Sequence, residues 1–183
     1  MKKNNVGVIL LILVGVVLIS SCTSNVGTAS SWPGLAVKDD LVVVSYTYQV
    51  YALNSQNGTK VWTFPAEVDN KSMFYAPVEF ADGVVLAGDY DHTLFAINEN
   101  NGVLTWKFDG ADSRYVASSL YTGGFVYAPN ADGNLYVLDQ NGVLQWIFET
   151  AGPNWSKPVA DEEYVYLTSM DHHVYALKLS LAN

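Results

Sequence analysis

Cysteine is almost missing. Cys22 is the only one in 183 residues, so no disulfide can form within the chain and packing alone must hold it together. Basic residues are scarce too, with 9 Lys and Arg against 18 Asp and Glu and a net charge of −9. That balance excludes the basic stripe on which nucleic-acid binding depends, and it argues against electrostatic adhesion to anionic lipid. Helical periodicity is absent, no apolar run reaches the roughly 20 residues of a spanning helix, and no glycine-rich phosphate loop follows a strand. No serine, histidine and acid share a spacing that suggests a triad. What is abundant is valine, tyrosine, threonine and tryptophan, the residues of half-buried sheets, and the chain reads as all-β.

The N-terminus follows a different logic. Lys2 and Lys3 precede a 14-residue apolar run over residues 6–19, which suits the core of a secretory signal. The run ends in Ile19-Ser20-Ser21-Cys22, which resembles the bacterial lipoprotein lipobox. The resemblance implies cleavage before Cys22 and lipid chains on it, each buried methylene contributing about 0.8 kcal/mol of membrane affinity. Losing Lys2 and Lys3 takes the net charge to −11, so the lipid has to carry the membrane contact. Residues 23–31 are small and polar, as a tether requires. The expected organisation is a signal peptide over residues 1–21, a lipid-anchored tether over 22–34 and one domain over 35–183. Thr23, where an aspartate would signal retention in the inner membrane, leaves two expected locations. They are the periplasmic side of the outer membrane and the extracellular face of the cytoplasmic membrane.

Three times an Asn-Gly pair is followed, after three residues, by a tryptophan: Asn57-Gly58 by Trp62, Asn101-Gly102 by Trp106, Asn141-Gly142 by Trp146. An aromatic and two apolar residues precede each: Tyr51-Ala52-Leu53, Phe95-Ala96-Ile97, Tyr136-Val137-Leu138. A fourth copy, Tyr175-Ala176-Leu177, lacks the turn and the tryptophan. The tryptophans lie 44 and 40 residues apart, a spacing that marks propeller blades. Asn-Gly supplies the two positive φ angles of a tight hairpin, and the runs beginning at Leu41, Val84, Phe125 and Tyr164 read as buried second strands. The expected fold is a β-propeller of four-stranded antiparallel blades, three complete and a fourth that stops after its third strand. This is a partial or half propeller.

These residues resemble the pyrroloquinoline-quinone-type propeller repeat, Ala-x-Asp-x-x-Thr-Gly-x-x-x-Trp. Asn replaces Thr before each glycine, and Asn54 and Asn98 replace the Asp that Asp139 keeps. The resemblance implies that Trp62, Trp106 and Trp146 dock one blade on the next. With the lipobox, it points to the propeller lipoproteins of the outer-membrane β-barrel assembly machinery. That likeness implies a non-catalytic protein-binding scaffold at the cell envelope, with an envelope protein as partner and no cofactor. A degenerate quinoprotein dehydrogenase is the rival, since it shares the repeat. Its vicinal disulfide has no counterpart here, and Asp89 and Asp91 lack the glycine and distal glutamate of a calcium loop. An extracellular sensor or adhesion module is the third reading.

His92, His172 and His173 fall in turns of blades 2 and 4, too far apart in the repeat to converge as a zinc site, and no metal is expected. The longest loops join successive blades. They place Phe74 and Tyr75, Arg114 and Tyr115, and Trp155 and Lys157 near equivalent positions, as packing plugs or as partner-binding residues. The incomplete fourth blade leaves an open edge at Tyr175 and an apolar first face at Val42 and Val44. The expected outcomes are three: a homodimer completing the ring, an aggregation-prone fragment, or part of a longer gene cut short.

Overall fold

The computed structural model describes residues 34–179. The expected signal peptide, Cys22 and nearly all of the tether lie outside them. Among the described residues, no helix is long and apolar enough to cross a membrane.

Fifteen strands form four antiparallel sheets, each a meander. Blade 1 is β1 (Gly34–Lys38), β2 (Leu41–Tyr46), β3 (Gln49–Asn54) and β4 (Lys60–Phe64). Blade 2 is β5 (Glu79–Ala81), β6 (Val84–Gly88), β7 (Leu94–Asn98) and β8 (Leu104–Phe108). Blade 3 is β9 (Leu120–Thr122), β10 (Phe125–Pro129), β11 (Asn134–Asp139) and β12 (Leu144–Glu149). Blade 4 has three strands, β13 (Val159–Ala160), β14 (Tyr164–Thr168) and β15 (Val174–Lys178). The partial propeller expected from the repeat is the fold observed. Gly34, which the sequence leaves in the tether, is the first residue of β1 and is buried.

The turn into each fourth strand is built by one side chain. Asn54 Oδ1 accepts the amides of Gln56 and Asn57, Asn98 Oδ1 those of Asn100 and Asn101, and Asp139 Oδ1 those of Asn141 and Val143. An oxygen of this kind is common to Asn and Asp, so either serves, and of each Asn-Gly pair only the glycine takes positive φ, not both residues as expected. A bulge follows at the same place in every complete blade, between Ala52 and Leu53, Ala96 and Ile97, and Val137 and Leu138. It re-aims the outer strand so that its tryptophan faces the next blade.

Burial is organised by junction rather than by blade. One core joins blades 1 and 2 through Val43, Val50 and Trp62 against Val78, Val85 and Ile97. A second joins blades 2 and 3, and a third joins blades 3 and 4. No such core joins blade 4 to blade 1 among the described residues. Leu35 and Val37 of blade 1 and Val159 and Val174 of blade 4 remain exposed, while Val42 and Val44 are half-buried.

Candidate functional site

Three connecting loops build the site, and the chain follows the same path in each. In the first, the Phe74 amide donates to the Thr47 carbonyl of blade 1 and the Met73 carbonyl accepts the Tyr90 amide of blade 2. In the second, Tyr115 donates to Asp89 and Arg114 accepts from Ala131; in the third, Asn154 donates to Asn130 and Pro153 accepts from Met170. Each loop thus stitches two blades together and satisfies backbone groups that the sheets cannot reach.

The stitch dictates where side chains point. Phe74, Tyr115 and Asn154 occupy one equivalent position and are fully buried. The residues that follow them, Tyr75, Val116 and Trp155, line a cavity of about 410 Å³ with Arg114 and Tyr90. Of the six loop residues singled out in the sequence, Phe74 and Tyr115 are therefore plugs that fill the blade junctions, not contacts open to a partner. Tyr75, Arg114, Trp155 and Lys157 border the open space. Tyr90, Gly34 and Val116 line it without a sequence signal of their own. Tyr90 sits between Asp89 and Asp91, in a turn whose acids draw attention away from the ring.

At the mouth Tyr75 and Tyr90 meet edge to face, centroids 4.7 Å apart, and the Arg114 guanidinium lies 5.3 Å from the centre of Tyr90. The arrangement presents a cation held on an aromatic surface. Trp155 is 52% exposed beside them. Beside it a second hollow runs past Pro77, Val116 and Trp155, where Lys157 Nζ, in the loop entering blade 4, meets Glu79 Oε2 of blade 2 at 2.6 Å. Blades that are not neighbours in the repeat are bridged across the axis.

Behind the mouth, Asp89 is the one carboxylate among the fully buried residues described. Oδ1 accepts the Thr93 amide at 2.8 Å, but Oδ2 has no partner. Burial pushes its pKa up, with the Thr93 amide opposing. Burial likewise raises the Tyr115 phenol, whose hydroxyl is unpaired. His92 and His172 occupy positive-φ turn positions, both at 69°, equivalent to Gly133 of blade 3. His173 Nδ1 lies 3.3 Å from Asp171, whose pKa falls to about 2, mainly through the Tyr175 hydroxyl bond. The histidines are thus turn residues, and no group of three metal-ligating side chains occurs among the described residues.

The tryptophans dock blades through specific seats. Trp62 donates Nε1 to the Glu99 carbonyl of blade 2 at 2.8 Å, and Trp106 to the Gln140 carbonyl of blade 3 at 2.9 Å. Each ring covers the Asn-Gly turn of the following blade, so that a Cβ on Gly102 would stand 2.9 Å from Trp62 and one on Gly142 2.5 Å from Trp106. Trp146 packs edge to face on Tyr127, but its Nε1 is buried without an acceptor.

A partial propeller of quinone-type repeats with an aromatic mouth at its axis is what the fold and the loops define. The chain belongs to the family described as outer membrane protein assembly factor BamB, whose model matches residues 20–178. No curated protein sequence matches it. Among solved structures, BamB from Moraxella catarrhalis is similar at a TM-score of 0.69 and 20% identity, over 84% of this chain and 48% of that one. The chain therefore spans about half the length of that BamB. The computationally designed Ika4 protein is similar at a TM-score of 0.71 and 19% identity, over 85% of this chain and 95% of that one.

Proposed function

We propose that this chain is a non-catalytic scaffold of the cell envelope. In this reading it is anchored through lipid on Cys22, at the periplasmic side of the outer membrane, and holds an envelope protein at the cavity mouth. The carrying observation is the mouth itself: an exposed Trp155, a Tyr75–Tyr90 pair and a guanidinium resting on Tyr90. Tryptophan, tyrosine and arginine around a central hollow are the residue types that dominate protein-binding hot spots. Family membership supports an assembly role, and the lipobox supports the anchor.

A second copy of the chain is the other proposed partner. Blade 1 carries Leu35, Val42, Val44, Tyr51 and Leu53 at positions equivalent to blade 2's Val78, Val85, Ala87, Phe95 and Ile97, which meet blade 1. It is a docking face without its blade.

The scaffold reading is tested with a photo-crosslinking residue at Trp155 in cells, with the same residue at Val103 on the outer rim as control. A discrete envelope-protein adduct is expected from Trp155 alone, and is lost in Arg114→Glu. Cys22→Ser is expected to release the protein from membranes. Equal adducts from both positions, or a variant that stays with membranes in high salt, would overturn the respective halves.

A further inference from the structure

We infer that Asn141 is a site of spontaneous covalent modification. Of the three Asn-Gly pairs, Asn141-Gly142 deamidates and isomerises fastest, and the product loosens the junction between blades 2 and 3. The inference is independent of the scaffold reading, because the turn from β11 to β12 lies at the other end of β11 from the cavity mouth.

The three turns are near-copies, and one difference in length separates them. Asn54 and Asn98 stand four residues before their glycines, but Asp139 stands only three before Gly142. In the longer turns the cap stops short, and the asparagine beside the glycine covers the next amide. Asn57 Oδ1 accepts the Thr59 amide at 3.0 Å and the Thr59 hydroxyl at 2.7 Å, and Asn101 Oδ1 accepts the Val103 amide at 3.0 Å. In the shorter turn Asp139 Oδ1 reaches the Val143 amide itself, at 3.0 Å. Asn141 is left with nothing to cap, and its side chain makes no hydrogen bond among the described residues. It is exposed, and it borders a hollow of about 260 Å³ with Thr105, Trp106 and Gln140, so the amide group has room to turn.

That freedom decides the chemistry. Base takes the proton from the Gly142 amide nitrogen, which attacks Asn141 Cγ. A C–N bond forms, the Cγ–Nδ2 bond breaks and ammonia leaves, giving a cyclic succinimide. Water then opens the ring at Cγ to give aspartate, or at the main-chain carbonyl to give isoaspartate, and no oxidant is needed. The side chain must rotate over its own backbone to react, which the bonds on Asn57 and Asn101 prevent. The glycine amides do not separate the sites, since all three donate to the capping residue's carbonyl at 2.9–3.0 Å. The Asp139 charge opposes loss of the amide proton, but its oxygens are already engaged by Asn141, Val143 and Gln145.

The position gives the modification its effect. Asn141 lies between the two contacts that hold Trp106: the Gln140 carbonyl, which accepts the indole Nε1 at 2.9 Å, and Gly142 under the ring. Isoaspartate inserts one methylene into the backbone between them. A Cβ on Gly142 would already stand 2.5 Å from the ring, so the seat has no slack to absorb it.

The test ages the full-length chain in mildly alkaline buffer and reads each Asn-Gly site by peptide mapping, with isoaspartyl methyltransferase labelling. Asn141 should convert several-fold faster than Asn57 and Asn101. In urea, where the turns are gone, the three should converge on one rate. The aged chain should unfold at a lower urea concentration than the fresh one, and an aged Asn141→Gln chain should not. Equal rates in the folded chain, Asn57 or Asn101 reacting first, or the same ordering kept in urea would overturn the site. An unchanged urea midpoint in chains that carry isoaspartate there, or an equal loss in Asn141→Gln, would overturn the consequence.

Discussion

Glycine in the Asn-Gly turns meets two demands, and the two can be separated. Gly58 and Gly142 both have positive φ, 69° and 78°, but only Gly142 lies under a tryptophan ring. Gly58→Ala should therefore cost about 1 kcal/mol, the left-handed backbone penalty alone. Gly142→Ala should cost about 2–4 kcal/mol, because the Trp106 ring must also move. Trp106→Ala should cost on the order of 3–5 kcal/mol. Urea unfolding of the three variants checks the ranking, and equal losses for the two alanines would refute the seat. Asp89 offers a pH test. Its pKa is raised in the folded state, so ionisation opposes folding above that pKa, and stability rises as pH falls through it. Asp89→Asn should stabilise by about 1 kcal/mol at pH 7 and flatten the dependence above the ordinary carboxylate range. The Asn at the equivalent position, Asn130, already donates Nδ2 to the Ser113 carbonyl at 2.8 Å.

At the scale of strands and loops, blade 4 should be the least stable sheet. β15 lacks the outer neighbour that β3, β7 and β11 have, so native-state hydrogen exchange should find its amides opening first. If β15 exchanged as slowly as β7, its edge would have to be covered in solution. The strands are readable because turn chemistry is local: a glycine at positive φ closes each hairpin into a fourth strand, and these turns bound the apolar run Val84–Gly88 and the outer strand Leu104–Phe108. The loops were less readable for a physical reason. Whether Phe74 or Tyr75 faces the cavity depends on a backbone bond to Thr47 in another blade, which no spacing within the loop reveals. Tyr90 carries no sequence signal because its role exists only once Tyr75 and Arg114 arrive from two different connecting loops. The tryptophan seats lie in between. The rings announced docking, but the match of Trp106 to Gly142, 36 residues on, needed the stacked sheets.

For the whole molecule, sedimentation of the domain from residue 23 should give a dimer, with monomers recovered when Val44→Glu puts charge on blade 1's open face. A cooperative monomer at all concentrations would remove the second copy as a partner. The filled and empty tryptophan seats carry one more consequence. Both seated rings lean the same way round the axis, from Trp62 to Gly102 and from Trp106 to Gly142, while Gly58 has nothing within 4 Å. The arc has a head and a tail that cannot be exchanged, so a blade-to-blade joint between two copies would run tail to head. Joints of that sense either close into a ring or run on as a fibre, and the turn per blade decides which. If that angle misses closure by a few degrees, this same chain becomes the monomer of a filament with a growing end.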